Sequence, residues 1–274
     1  EMCIRDRLYN IVDRIYIGHI EGIGAAALTG VGLFAPILML LNAFAMLIGA
    51  GGAPRTAIAL GQGNKDEAEK IIGNSFTMLL FFAVVLTAGF YAGAPALLRL
   101  FGASDATLPY AVAYGRIYIL GSVFVLLVMG MNPFITTQGF ARTSMLTTVI
   151  GAVINIILDP IFIFTLNMGV TGAAVATIIG QFCGCALAIY FNHKKNTDIT
   201  LSIKGFRPDF RLIGEIYAIG LPSVIMIAIG SVMTFLMNKI LITYHAAHET
   251  AATAFGAYFK LNSFIFMPVF GMNN

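Results

Sequence analysis

The chain has 274 residues, of which 58% are hydrophobic and 11% are charged, with a formal net charge of +3 at pH 7. A water-soluble domain carries about 25% charged residues to cover its surface, so this composition excludes a soluble protein and predicts a membrane protein. The three cysteines show no repeated spacing, which predicts neither a disulfide framework nor a zinc site.

Apolar runs of membrane length recur along the whole chain. Residues 1–7 are rich in charged side chains, and an apolar run begins abruptly at Leu8. This change predicts that residues 1–7 are a foreign or artefactual segment. A membrane-spanning helix needs roughly 20 apolar residues, so the short run at 8–20 predicts the end of a first helix that begins upstream. None of the runs alternates as the strands of a membrane barrel do, so the predicted fold is an all-α polytopic bundle that is cut at both ends. Seven further helices are predicted at 33–58, 71–98, 109–131, 143–165, 169–192, 211–243 and 250–272.

The charges between the apolar runs predict the orientation of the chain in the membrane. The connections after the second, fourth and sixth helices hold nine basic residues, whereas the opposite set of connections holds only Arg99. Because cytoplasmic loops carry the excess of Lys and Arg, the first set and the N-terminus are predicted to be cytoplasmic. The longest polar connection, 193–210, is predicted to separate two lobes. The nine basic residues are Arg55, Lys65, Lys70, Arg142, Lys194, Lys195, Lys204, Arg207 and Arg211.

Two carboxylates, Asp13 and Asp159, lie deep within apolar sequence. A charged group in the bilayer core costs at least about 2.5–3.5 kcal/mol on insertion scales. Each of these carboxylates is therefore expected to have a role that offsets this cost. Asn155 lies four residues before Asp159 and therefore on the same helix face. Pro160 lacks an amide hydrogen and tends to kink a helix, which would free the carbonyl of Ile156. This set of oxygen atoms predicts a site for a proton or a small cation.

Two alternative interpretations of these carboxylates remain open. In one of them Asp13 lies at the membrane boundary and forms an ion pair with its neighbour Arg14 that has no functional role. In the other, Asp159 is a neutral buried acid whose role is packing alone.

Other polar residues within the spans have simpler predicted roles. Arg116 and Lys239 are expected to extend their charged groups to the membrane surface. Lys260 lies deeper in its span and is a candidate for the wall of a polar cavity, together with Asn10 and Asn262.

Sequence motifs distributed over residues 8–274 resemble one known family, the multidrug and toxic compound extrusion (MATE) exporters. The run LYNIVDRIYIG at 8–18 is similar to that family's first helix. The glycine-rich run at 49–63, with NKDEA at 64–68, is similar to its second helix and the following loop. Further similar segments are QG at 138–139 before Arg142 and Thr143, NIILD at 155–159, GVTGAAVAT at 169–177, GLP at 220–222 and FMP at 266–268.

The resemblance implies a fold of twelve helices in two six-helix lobes, which open a central cavity to each membrane face in turn. This chain would supply the six helices of the N-lobe, with the first one truncated, and the first two helices of the C-lobe. The implied boundaries are 8–192 for the N-lobe, 193–210 for a cytoplasmic linker and 211–274 for the start of the C-lobe.

The resemblance also implies a set of cation ligands. In the DinF-like branch of these bacterial exporters the cation site lies in the N-lobe, and its ligands match Asp13, Asn155, Asp159 and Thr177 with the carbonyl of Ala173. These residues would couple transport to H⁺ or Na⁺ without any other cofactor. Another branch places an acidic residue in its seventh helix, but residues 221–243 contain no Asp or Glu, which favours the N-lobe site.

The implied function is secondary active antiport, in which a cationic or amphipathic drug leaves the cell in exchange for the cation. The expected protein is a monomer in the cell inner membrane that contacts lipid and a small organic substrate; it is neither an enzyme nor a nucleic-acid binder. One alternative is a lipid-linked precursor flippase of the same superfamily, although such a protein is expected to line its cavity with several basic residues. The other is an intramembrane enzyme that uses Asp13 and Asp159 as acid and base.

Overall fold

The computed structural model describes residues 13, 15–20, 23–101, 103, 105, 107–191 and 209–244. Residues 13 and 15–18 are helical and belong to the predicted first helix. A π-helical segment, Ile161–Thr165, lies between the fifth and sixth of the α-helices that follow. These helices are α1 (Gly24–Leu33), α2 (Ala35–Gly61), α3 (Lys65–Leu100), α4 (Leu108–Thr137), α5 (Ala141–Pro160), α6 (Val170–Tyr190) and α7 (Phe210–Tyr244).

The predicted all-α polytopic fold is confirmed. The predicted second to sixth spans each coincide with a helix that is long and apolar enough to cross a membrane, and α7 coincides with the predicted seventh span. The predicted eighth span at 250–272, the segment 1–7 and residues 193–208 of the linker lie outside the described residues. The five membrane-length stretches are Ala27–Gly61, Lys65–Leu100, Leu108–Thr137, Ala141–Thr165 and Val170–Tyr190.

The second span begins earlier than the predicted boundary at residue 33. It starts in α1, at Ala27, and continues into α2 across Phe34, which is fully buried. Pro36 lies in the first turn of α2, where the missing amide hydrogen of a proline costs no helical hydrogen bond. A hydropathy pattern does not reveal this joint, because apolar residues flank it on both sides.

A tight turn at residues 62–64 connects α2 to α3. Gly63 adopts a φ of +75°, a backbone conformation that favours glycine. Asn64 then caps α3, because its side chain accepts a hydrogen bond from the amide of Glu67 at 3.2 Å. Arg55 was predicted to lie in this connection together with Lys70. Both residues instead lie within helices, α2 and α3, because these helices extend beyond their apolar stretches.

The central helix of the described bundle is α4, which packs against α1, α2, α3, α5 and α6. One cluster of rings fills the contact between α4 and the start of α2. The ring of Phe34 meets those of Tyr114 and Tyr118 edge to face, with centroids 5.8 and 5.5 Å away. Edge-to-face geometry is a favourable aromatic arrangement, so this cluster stabilises the position of α4.

The crossing of α5 and α6 depends on glycine. A Cβ atom added at Gly180 would lie 2.5 Å from the carbonyl oxygen of Gly151, so the two backbones approach too closely for any side chain there. A Cβ atom at Gly184 would lie 3.1 Å from the carbonyl oxygen of Thr147. This close approach brings the polar face of α5 directly against the polar face of α6.

The outer surfaces of the helices are apolar, as the lipid bilayer requires. Phe81 and Val84 of α3 are each about three-fifths exposed, although both are large apolar side chains. Arg116 is exposed, and its guanidinium lies 5.7 Å from the centre of the Tyr91 ring. This contact places the charge of Arg116 against an aromatic face, and its extension towards the membrane surface stays a prediction.

Candidate cation site

Three helical segments bring the five residues of the predicted cation site together. Asp13 comes from the first helical segment, Asn155 and Asp159 from α5, and Ala173 and Thr177 from α6. All five are buried, and Asp159 is fully shielded from solvent. The spacing of four residues within α5 and within α6 places each pair on one helix face, and the glycine crossing turns the two faces towards each other.

Hydrogen bonds connect these side chains across the three segments. The amide nitrogen of Asn155 donates to Oδ1 of Asp159 at 3.1 Å and lies 3.4 Å from the hydroxyl of Thr177. The hydroxyl of Thr177 lies 2.9 Å from the carbonyl oxygen of Ala173 and 3.3 Å from Oδ2 of Asp13. Because that hydroxyl has a single proton, it donates to one of these two oxygens at a time.

The carboxyl groups of Asp13 and Asp159 are joined through the side chains of Thr177 and Asn155. Two ionised carboxylates in one buried cluster repel each other, and a proton or a small cation between them offsets this repulsion. The cluster is therefore suited to hold one positive charge.

Further buried oxygen atoms are available for a ligand. Within the described residues, Oδ1 of Asn155 and Oδ2 of Asp159 are buried and receive no hydrogen bond from a backbone amide or from a fixed side-chain donor. Burying such an acceptor without a partner costs about 1–3 kcal/mol. Oxygen atoms of carboxylate, amide, hydroxyl and carbonyl groups are the ligands that hard cations such as Na⁺ prefer.

The backbone beside the site departs from regular α-helix immediately after Pro160. Pro160 is the last residue of α5, and the π-helical segment 161–165 follows it. There the amide of Leu166 bonds to the carbonyl of Ile161 at 2.9 Å. Gly172 packs so closely on this segment that an added Cβ atom would lie 2.8 Å from the carbonyl oxygen of Phe162. This contact holds the start of α6 beside Asp159.

A small cleft adjoins the site between α4, α5 and α6. Asn155 and Thr177 lie in its wall, so the cleft reaches the candidate ligands directly. Gln181, one helical turn beyond Thr177, adds a mostly buried amide to the wall. The other lining residues are Val128, Thr147, Thr148, Gly151, Ala152, Gly180 and Gly184.

Sequence reasoning missed part of this polar region. Asn132 of α4 is fully buried, and its Oδ1 accepts a hydrogen bond from the hydroxyl of Thr147 in α5 at 3.3 Å. The sequence does contain a signal for this region, because Asn132 and Gln181 are uncharged polar residues within otherwise apolar spans. The three other predicted cavity residues, Asn10, Lys260 and Asn262, lie outside the described residues.

Comparison with known proteins identifies the family. The model of the MatE family matches residues 4–161, which is more than half of the chain. The chain belongs to the MatE family. It is therefore part of a transporter family and not of an enzyme family, and it is a multi-pass protein of a cell membrane.

Named relatives of this MatE chain are export proteins. It is 28% identical over 267 residues to the multidrug export protein MepA of Staphylococcus haemolyticus, covering 97% of this chain and 58% of that protein. It is 26% identical over 270 residues to MepA of Staphylococcus aureus, with the same coverages. The MatE chain thus spans less than two-thirds of the length of the curated relatives that it matches.

Solved structures share the fold. A structure described as MATE in the bent conformation superposes with a TM-score of 0.90 at 29% identity, covering 98% of this chain and 59% of that one. A MOP superfamily transporter from Pyrococcus furiosus, described as having a binding pocket of reverse polarity that suggests a different function, superposes with a TM-score of 0.89 at 29% identity. That match covers 99% of this chain and 59% of the other.

Proposed function

We propose that the protein that contains this chain exports cationic or amphipathic drugs in exchange for H⁺ or Na⁺, as a monomer in the cell membrane. The observation that carries this proposal is the buried cluster in which Thr177 and Asn155 join the carboxyls of Asp13 and Asp159. Buried ionisable groups within membrane spans mark ion pathways and proton relays in transporters. The multidrug export proteins among the relatives support the choice of substrate class.

The proposed coupling uses the changing charge of the carboxyl pair. A cation or proton that enters from outside neutralises the pair, so that Asp13 and Asp159 approach and the first helical segment is drawn against α5 and α6. When the ion leaves towards the cytoplasm, repulsion between the two carboxylates favours a looser arrangement of the same segment. The ion thereby biases the equilibrium between two conformations of the lobe, which is what coupling to drug movement requires.

The energy available from one ion is sufficient for export. One elementary charge that moves through 100 mV releases about 2.3 kcal/mol. Since about 1.4 kcal/mol corresponds to a tenfold concentration ratio, one ion sustains a gradient of roughly fortyfold for a neutral substrate. The proposed exchange of a neutral amphipathic substrate therefore needs no nucleotide.

Transport of a fluorescent cationic dye in proteoliposomes tests this proposal. We expect Asp159→Asn, and separately Asp13→Asn, to abolish dye movement driven by an imposed ion gradient while the protein still inserts and folds. The matched control is Asp105→Asn, because Asp105 is 98% exposed and pairs only with exposed Arg99 among the described contacts. Gradient-driven transport that persists at the wild-type rate in Asp159→Asn would show that the candidate site does not couple ions to export.

A further inference from the structure

A second cluster of charged side chains lies at the opposite end of α5 and α6 from Asp159, where α2 ends and where α3 and α7 begin. Arg55 of α2 pairs with Glu215 of α7 and also with Glu67 of α3 at 3.4 Å. Arg211 of α7 pairs with Glu215, likewise at 3.4 Å. Two positive and two negative charges thus balance within the cluster.

The N-lobe half of the cluster is held in place by the cap of α3. The side-chain nitrogen of Asn64 donates to Oε2 of Glu67 at 2.9 Å, while its oxygen accepts from the Glu67 amide. This reciprocal arrangement fixes the Glu67 carboxylate at the turn between α2 and α3. Glu67 in turn orients Arg55, whose side chain is only one-quarter exposed, towards α7.

The α7 half is anchored in a similar way. The carboxylate of Asp209 accepts hydrogen bonds from the amides of Arg211 and Leu212, and so caps the start of α7. The amide of Asp209 donates to the side chain of Asn74 in α3 at 3.0 Å. The start of α7 therefore has a defined position, with Glu215 one turn further along on the side that faces Arg55.

The backbones of α2 and α7 also meet closely beside this cluster. Gly51 lies against the carbonyl of Ile216, and Gly220 lies against the carbonyl of Leu47, so closely that neither glycine leaves room for a Cβ atom. The Arg55–Glu215 pair is thus the charged end of an extended contact between the two helices.

We propose that Arg55 and Glu215 are positioning residues of transport, and that their ion pair is a clasp that closes the cytoplasmic side between the two predicted lobes. The clasp rests on the proposed function and on the predicted boundary at 193–210, which assigns α2 and α3 to one lobe and α7 to the other. Opening the cytoplasmic side separates Arg55 from Glu215. The ion pairs within each lobe remain intact in that step, because Arg55 stays paired with Glu67 and Glu215 stays paired with Arg211.

This distribution of partners keeps the clasp reversible. Removing one partner of a desolvated pair leaves an uncompensated charge, which is strongly destabilising when the charge is buried. Here each charge keeps a second partner on its own side when the clasp opens. The clasp therefore holds the closed form without making the open form inaccessible.

Distance measurements on the protein that contains this chain, reconstituted in lipid and carrying spin labels, test the clasp. The labels are placed at Ile58→Cys in α2 and Ile219→Cys in α7, two exposed positions near the cluster, after the native cysteines are replaced. We expect Arg55→Glu and Glu215→Arg each to add a population at longer distance and to lower dye export. The double variant that carries both changes is expected to restore the wild-type distances, since it restores the opposite charges. The control is Arg99→Glu, a reversal in an exposed pair outside the cluster, which is expected to leave the distances unchanged.

The outcomes separate the clasp from a structural role and from the proposed function. Where a reversal lowers the yield of folded protein, the neutral variants Arg55→Gln and Glu215→Gln are expected to show the same longer population. Wild-type distances in every single variant, or a double variant that remains as open as the single ones, would overturn the clasp. The distances are measured without drug or ion gradient, so a failure of Asp159→Asn to affect export would refute the proposed coupling and leave the clasp to be judged by the distances alone.

Discussion

The hydroxyl of Thr177 lies 3.3 Å from Oδ2 of Asp13, although 164 residues separate them in the chain. This contact joins the first helical segment to α6 and places a hydroxyl beside the carboxyl pair. The same hydroxyl lies 2.9 Å from the carbonyl of Ala173, so it can turn from one acceptor to the other. Thr177 therefore joins Asp13 to the backbone of α6 through one hydroxyl.

The role of this hydroxyl leads to a prediction for two substitutions at one position. Thr177→Val keeps the size of the side chain but removes the hydrogen-bonding group, and we expect it to lower gradient-driven export about tenfold or more. The reason is that a hydrogen bond to a charged group contributes about 1.5–3 kcal/mol. Thr177→Ser retains the hydroxyl and is expected to keep most of the activity. Equal activity of the two variants in the proteoliposome assay would show that the hydroxyl has no part in coupling.

The atoms that face each other in the site lead us to predict a proton as the coupling ion. The amide nitrogen of Asn155 faces Oδ1 of Asp159, and binding of Na⁺ would need this side chain to turn its oxygen towards the carboxylates. We expect a pH gradient to drive dye export in sodium-free medium, and a sodium gradient at uniform pH to be ineffective. The measurement is dye transport in proteoliposomes under each gradient separately. An absolute requirement for sodium would contradict this prediction.

The glycine crossing between α5 and α6 predicts a large effect from a single methyl group. Gly180→Ala places a Cβ atom 2.5 Å from the Gly151 carbonyl oxygen, so the helices must separate. We expect a loss of about 1–3 kcal/mol in stability, the usual cost of overpacking. The readout is the thermal unfolding midpoint in detergent.

A matched control for this change lies in α3. An added Cβ atom at Gly89 meets no other atom within 4 Å, so Gly89→Ala is expected to leave the midpoint unchanged or to raise it slightly. A destabilisation of Gly89→Ala equal to that of Gly180→Ala would mean that helix crossing is not the cause.

The cap of α3 gives a prediction at the turn after α2. Asn64→Ala removes the acceptor of the Glu67 amide and is expected to cost about 1 kcal/mol. Asn64→Ser retains a capping oxygen and is expected to be nearly neutral in the same thermal measurement. If the clasp depends on the orientation of Glu67, the alanine variant also adds the longer-distance population between the labels at residues 58 and 219.

Several features of this protein were predictable because they depend on local sequence. Apolar length determines which stretches can span lipid, and the predicted span 211–243 differs from the observed α7 by one residue at each end. The turn at Gly63 was predictable because glycine accepts a positive φ with little strain. Helical periodicity alone places Asn155 and Asp159 on the same face. The family resemblance added Ala173 and Thr177, which no composition or spacing singles out.

Other features were decided only by tertiary structure. In the sequence, Arg55 is one of nine basic residues that predict the orientation of the chain. Nothing in the local pattern pairs it with Glu215, which lies 160 positions later. The contact of Thr177 with Asp13 and the closeness of the two carboxyls likewise depend on how the first segment packs on α5 and α6. Periodicity states which face of a helix is polar, but the partner of that face is set by helix crossings such as Gly151 against Gly180, where the absence of side chains lets the backbones meet.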